Sequence, residues 1–291
     1  MKKMQAFKLE FDRFSLNLGS KTCIMGILNT TPDSFFDKGK FNTHEKAIRQ
    51  GIKLFKQGAQ ILDIGGESSR PFAKPVAQQE ELDRVIPVIE KLAQKINIPI
   101  SIDTTKAIVA KEALNAGASI INDISALRKD PDMVKVAAKN KTPIIMMHMQ
   151  GTPETMQINP DYDDLLDEII SFFKSRINFA INNGIDKNNI ILDPGIGFGK
   201  RIEHNLKIIK HIEKIALLGF PILVGPSRKS FIQKTLSKKY KKKLTSSNTL
   251  IKYGTFASVA ALIMNKAHII RVHDVLELVA FAHIIDSIKN V

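Results

Sequence analysis

Short apolar runs, mostly β-branched, recur along the chain, and each stops at polar residues. Ile24 to Leu28 ends at Asn29, and Ile61 to Ile64 at Gly65, Gly66 and Glu67. Ile100 to Ile102 ends at Asp103, Ile120 and Ile121 at Asn122 and Asp123, and Ile144 to Met147 at His148. Ile190 to Leu192 ends at Asp193 and a glycine-rich stretch, Gly195-Ile196-Gly197-Phe198-Gly199-Lys200. Ile222 to Val224 leads to Arg228 and Lys229, and Ile269 to Val272 to His273 and Asp274. Continuous apolar runs of this length read as buried strands of a parallel sheet. Helix-length segments separate most of them. Eight β-then-α units with chemistry at the strand C-termini predict an α/β fold, a single (β/α)8 TIM barrel over residues 1–291 whose site gathers at that one face.

The intervening segments predict the helices. One runs from Thr43 to about Gln57, with Gly58 as its stop, and a second from Gln78 to Ile96. Thr104 is a plausible N-cap for the third, and Pro131 begins the fourth. The fifth spans Tyr162 to Asn183, the sixth Glu203 to Leu218, and the last two Asn248 to Asn265 and Val275 to Ile288. Residues 5 to 20 alternate in places and predict a short N-terminal β-hairpin that closes the barrel bottom. Lys234, Lys238, Lys239 and Lys241 to Lys243 form a Lys-rich insertion after strand seven, read as a solvated segment. His204 and His211 on the sixth helix receive no function.

Composition narrows the classes. At 291 residues with 44% hydrophobic residues, the chain has the length of one barrel. A single cysteine, Cys23, excludes an internal disulfide framework and fits a reducing cytoplasm. No apolar run of signal-peptide or membrane-spanning type is present, so no membrane partner is expected. The net charge of +14 fits nucleic acid, an acidic surface or small anionic substrates. The lysine run lacks the interleaved aromatics of a base-stacking platform, so no nucleic-acid partner is expected either.

The strand ends carry the candidate chemistry. Asp103, Asn122 and Asp193 supply acceptors and an amide. Arg70, Arg228, Lys229, Arg271 and His273 supply cations, and Asn29 a neutral oxygen ligand. A mouth with separate acidic and basic halves suits a two-ended substrate, one edge donating hydrogen bonds and the other a phosphate. No Cys/His cluster for zinc, no Ser-His-Asp arrangement and no phosphate-binding glycine motif of standard spacing is present.

The motifs M-G-I-L-N-T-T-P-D-S-F, D-I-G-G-E-S-S-R-P, S-I-D-T-T-K, I-N-D-I, M-H-M-Q-G-T-P, L-D-P-G-I-G-F-G-K, S-R-K-S and R-V-H-D-V occur in this order between residues 24 and 275. Together they resemble the dihydropteroate synthase family. The resemblance implies condensation of a dihydropterin pyrophosphate with para-aminobenzoate, inhibition by sulfonamides, and a homodimer. By the same resemblance Asp103, Asn122, Asp193 and Lys229 would hold the pterin, with Ile124, Met147 and Phe198 as apolar walls. Asn29 would ligate a Mg2+ on the pyrophosphate, with Ser69, Arg70, Arg271 and His273 around it. Phe35, Ser69, Pro71, Arg228 and Ser230 would form the aminobenzoate side. Asp103, Lys229, Arg271 and His273 would carry the catalytic roles.

Three positions depart from the family pattern: Phe72 and Lys266 stand where Gly is common, and Phe36-Asp37-Lys38-Gly39 where S-D-G-G is usual. The first and last touch the aminobenzoate side. Loops one (Thr30 to Lys40) and two (Ser68 to Val76) are expected to close over bound pyrophosphate and complete that pocket. The alternatives are a pterin-binding methyltransferase barrel, against which Lys229 and R-V-H-D-V speak, and a basic nucleic-acid-binding protein.

Overall fold

The computed structural model describes residues 5–31 and 40–291. Strands β3 (Cys23–Asn29), β4 (Ile61–Gly65), β5 (Ile100–Asp103), β6 (Ile120–Asp123), β7 (Ile144–Met147), β8 (Ile190–Asp193), β9 (Leu223–Val224) and β10 (Ile269–Val272) form one parallel sheet. Its order is β8-β7-β6-β5-β4-β3-β10-β9, and a parallel bridge between Leu192 and Ile222 closes β8 onto β9. The expected barrel is therefore present. Helices α1 (Lys40–Lys56), α2 (Gln78–Ala93), α3 (Ala107–Asn115), α4 (Met133–Asn140), α5 (Leu165–Asn182), α6 (Ile202–Lys210), α7 (Ile212–Ala216), α8 (Ser230–Tyr240), α9 (Thr249–Met264) and α10 (Val275–Lys289) cover its outside.

Two-residue alternation sorts the strand residues. Ile24, Leu62, Ile102, Ile121, Ile144, Ile190, Val224 and Ile270 pack outward in one cluster with the helices. Met25, Ile61, Ile120, Ile145, Ile191, Leu223 and Ile269 pack inward in a second cluster. That inner cluster also holds Leu9, Phe11, Leu16 and Leu18 from the hairpin β1 (Phe7–Phe11) and β2 (Phe14–Leu18). The hairpin thus plugs the N-terminal end of the barrel, as its alternation predicts. Two residues further along each strand, on the same inward parity, come Asp63, Asn122, Met147, Asp193 and Arg271. The register that builds the core therefore also builds the floor of the mouth.

Several element ends differ from the sequence reading. Helix α1 begins at Lys40 rather than Thr43, and α5 at Leu165, where the Asp164 carboxylate accepts from the backbone N–H groups of Leu166 and Asp167. The expected sixth helix breaks at His211 into α6 and α7. Thr104 is not the cap of α3. Its hydroxyl accepts from the Lys106 N–H, and Asp130 of the next loop accepts from Ala107 N–H at 2.7 Å. Much of the lysine run sits on helix α8 and its left-handed C-cap, Lys241, with all six lysines exposed. The stops at Gly58 (φ 97°) and Gly184 (φ 91°) hold, since both adopt the left-handed backbone that only glycine takes without strain.

Candidate active site

The floor is organised around Arg271. Its Nε donates to Asp63 Oδ2 at 2.5 Å and one terminal nitrogen to Asp103 Oδ2 at 2.9 Å. Asn122 Nδ2 donates to the same Asp63 oxygen at 3.2 Å. Burial works against the Arg271 charge, but Asp63 and Asp103 outweigh it and hold its pKa above the ordinary value. Asp103 moves the other way, pushed up to about 7 by burial and by the like charge of Asp63, with Arg271 opposing. The mouth is consequently not split into acidic and basic halves. The guanidinium is set among the carboxylates because a charge this deep needs partners.

Asp193 and Lys229 form the second part of the floor. The Asp193 carboxylate accepts from Gly195 N–H at 2.8 Å, yet burial still raises its pKa to about 6. The Lys229 ammonium lies 4.0 Å from the centre of the Phe198 ring. Burial and the like charge of Arg271 lower its pKa to about 8. Met147, Phe198 and Ile124 pack with Met149 and Met156 into a small apolar cluster at the mouth, separate from both main cores. The glycines of the Gly195–Gly199 stretch explain how Phe198 reaches it. Gly195 (φ 69°) lies so close to the chain that a Cβ there would stand 2.0 Å from the His148 carbonyl oxygen. No side chain fits, and the loop can fold flat over the end of β7.

The rim is built differently. Ser69, Arg70 and Pro71 belong to the loop after β4, and Arg70, Pro71 and Phe72 are exposed. Glu67 pairs with Lys106, not with Arg70, and Lys106 also reaches the buried Glu81 at 2.5 Å. The Phe72 N–H donates to the Pro153 carbonyl at 3.1 Å, which rests this loop on the loop after β7. A cavity of about 390 Å³ opens beneath, lined by Ser69, Glu81, Asp103, Ile124, Arg128 and Met149 among others. Asn29, half-buried, ends β3, and Thr30 donates to the Gly65 carbonyl from both its N–H and its hydroxyl. Ser230 is exposed at the first position of α8. Phe35 lies outside the described residues.

Two of the predicted site residues have partners or charge states that the sequence did not indicate. Arg228 grips Asp274 through two hydrogen bonds, at 3.1 and 2.6 Å. Its backbone takes a left-handed φ of 57° just before Lys229. His273 is not a cation. Burial, with Arg271 and Arg228 nearby, lowers its pKa to about 3, and its Nδ1 lies 3.0 Å from Ser227 Oγ.

The sequence reading gave no role to Asp63, Lys106, Glu81 or Lys200. Asp63 had a usable signal, since it shares the inward parity of Asp103 and Asn122. The other three had none, because their partners lie on distant segments.

A buried acid-and-base floor at the strand C-termini defines a barrel enzyme acting on a small molecule. The pattern of the family described as pterin binding enzyme matches residues 25–273. The dihydropteroate synthase of Synechocystis sp. is 47% identical over 270 residues, spanning 93% of this chain and 91% of that protein. The Yersinia pestis dihydropteroate synthase, solved with a sulfonamide drug complex, superposes with a TM-score of 0.90 at 41% identity, over 98% of this chain and 100% of its own. That of Xanthomonas albilineans, solved with 4-aminobenzoic acid, gives 0.89 at 37% identity over 99% and 100%. The chain belongs to the dihydropteroate synthase family of pterin-binding enzymes.

Proposed function

We propose that the protein condenses 6-hydroxymethyl-7,8-dihydropterin pyrophosphate with para-aminobenzoate to give 7,8-dihydropteroate and pyrophosphate, a transferase step of folate synthesis. The observation that carries this reading is the floor, where Asp103, Asn122 and Asp193 share one mouth with Lys229 and Arg271. A pterin edge presents N–H donors beside a ring carbonyl. Asp193 and Asn122 would take the donors, Lys229 the carbonyl, and Ile124, Met147 and Phe198 the ring faces.

Reaction by ionisation suits these groups. The C–O bond to pyrophosphate breaks, the pterin methylene becomes electron-poor, and the arylamine nitrogen closes the new C–N bond. Asp103, whose charge is counterbalanced by Arg271, stabilises positive charge spread into the ring. Arg271, Arg70, Ser69 and neutral His273 would hold the leaving pyrophosphate by donating to it. Covalent catalysis by cysteine is excluded, since burial pushes Cys23, in the barrel bottom, up to about 12. Pro71, Ser230 and Phe35 would shape the aminobenzoate side, and a sulfonamide would compete there. Arg228 would contribute through the Lys229 turn rather than by contact.

Mg2+ is the proposed metal, with Asn29 as its protein ligand. Asn29 offers one hard oxygen, and among the described residues no group of three His, Cys, Asp or Glu could hold a metal. That suits an ion that keeps its waters and binds mostly through substrate phosphates. When bound, it would neutralise charge on the leaving pyrophosphate.

We also propose a homodimer through α9 and α10, whose outer faces expose Tyr253, Leu276, Ile284 and Ile288. A cytoplasmic setting agrees with the free Cys23, and no helix among the described residues is long and apolar enough to cross a membrane. The test of the activity is pyrophosphate release from the pterin substrate, with and without para-aminobenzoate and Mg2+. Release from the pterin substrate, with the pterin passed to the arylamine as 7,8-dihydropteroate when para-aminobenzoate is present, supports the reading, and no C–N bond formation with para-aminobenzoate present sinks it.

A further inference from the structure

Lys200 ends the glycine-rich stretch after β8 and is 3% exposed. Its ammonium has three acceptors: the Phe198 carbonyl at 2.9 Å, His148 Nδ1 at 3.0 Å and the His148 carbonyl at 3.3 Å. An ammonium carries three N–H donors, so the set is complete. His148 must then be neutral, with its own proton on Nε2. Burial lowers the His148 pKa to about 2, which agrees. Among the described residues no carboxylate touches Lys200. Burial lowers its pKa to about 7, with the Asp193 carboxylate opposing and the like charge of Lys229 adding to the shift. A buried cation held only by neutral groups is costly, and it persists where the surrounding structure fixes it.

The position of this ammonium says what it does. It ties the end of β7 to the loop that carries Phe198, and the Phe198 ring in turn lies under the Lys229 ammonium. The same loop has other fastenings. Gln157 donates to the Gly197 carbonyl at 2.8 Å, Tyr162 to the Gly199 carbonyl at 2.7 Å, and Gly197 N–H to Asn205 Oδ1 at 2.6 Å. Lys200 differs from them in donating to three acceptors at once, two of them on His148 at the end of β7.

We propose that Lys200 is a positioning residue for the pterin slot, holding in place the loop that carries Phe198 and, through the Phe198 ring, the Lys229 ammonium. The inference rests on the pterin reading above. It predicts separate effects on the two substrates, because the loop borders the pterin and not the rim.

The test compares wild type, Lys200→Met and Lys200→Gln in turnover and in calorimetric pterin binding. Thr22→Val serves as a stability control. It removes a hydroxyl donated to Asp286 at 2.9 Å on the opposite side of the barrel. The pterin KM should rise about tenfold or more in both Lys200 variants. The aminobenzoate KM, measured at saturating pterin, should stay within about twofold. Thr22→Val should lower Tm and leave both KM values alone. In wild type labelled with 15N at lysine, the Lys200 Nζ resonance, assigned by its loss in Lys200→Gln, should be an exchange-protected ammonium that shifts when pterin binds. An unchanged pterin KM, a rise in both KM values together, or a resonance indifferent to pterin overturns the assignment. A wild type that binds no pterin overturns the functional reading instead.

Discussion

The floor of the barrel mouth and its rim are two different constructions. The floor is made of strand ends. Asp63, Asn122 and Asp193 are all buried, and hydrogen bonds join Asp63 to Asn122 and to Arg271. The rim is made of loops, and Arg70, Phe72 and Ser230 reach solvent. A floor fixed by the sheet can hold donor and acceptor positions to a few tenths of an ångström without help from the ligand. A rim of loops can gain contacts only when something binds there. On the proposed reading the floor would recognise the pterin, and the rim, with Arg271 beneath it, would capture pyrophosphate and aminobenzoate.

Breaking the floor should produce the largest effect. Asp63→Ala leaves Arg271 with one carboxylate in place of two and removes the acceptor of Asn122. Stripping one partner from a buried charge costs about 3 kcal/mol, so Tm should fall by ~5 °C or more and pterin affinity should fall with it. Thermal melts and calorimetry read both. A variant as stable as the parent would show that Asp103 alone suffices.

The next effect comes from pH. The folded Asp193 carboxyl sits at about 6, above its ordinary value, because of burial. Pterin donors require the ionised form, so affinity should rise as pH rises through 6, with about tenfold weaker binding at pH 5 than at pH 7. Stability moves oppositely. Asp103 and Asp193 hold protons in the folded state that the unfolded chain has released, so they favour folding below about pH 4. That contribution is lost as pH rises through about 6 and 7. Asp193→Asn should flatten the binding profile, and an unchanged profile would put the titrating group elsewhere.

The rim should respond to ligands rather than to the floor. Arg70→Ala should leave pterin affinity within about twofold yet weaken aminobenzoate binding in the presence of pterin, pyrophosphate and Mg2+. Para-aminobenzoate alone should bind poorly to the free enzyme. Equal affinity with and without the other ligands would mean a preformed pocket, and the distinction between floor and rim would narrow.

Phe72→Gly should give the smallest change. Phe72 holds a φ of 64° at 68% exposure, a conformation that favours glycine where the family commonly has one. Relief of that strain, less the added freedom of glycine when unfolded, is worth about 0.5–1 kcal/mol. A small rise in Tm with unchanged pterin affinity is expected. A drop in Tm would mean that the Phe72 ring packs usefully on the rim.

The sequence by itself determined the barrel, because apolar runs and their two-residue parity are local. Ile61 and Asp63, or Ile191 and Asp193, must point the same way in any strand. With each acid at a strand end, they had to reach one face. Parity also fixed which residues form the floor, and the ordered motifs carried the family resemblance. What parity could not supply was the pairing. Arg271 meets Asp63 across 208 residues and Asp103 across 168, and these contacts turn an expected division of charge into an interleaved floor. Arg228 pairs with Asp274 across 46 residues, and His273 lost its charge to burial beside two guanidiniums. Lys200 found three neutral acceptors only once the loop after β8 had folded over β7. Periodicity reports the direction of a side chain, whereas its partner and its charge depend on desolvation and on segments far away in the chain, which only tertiary packing brings together.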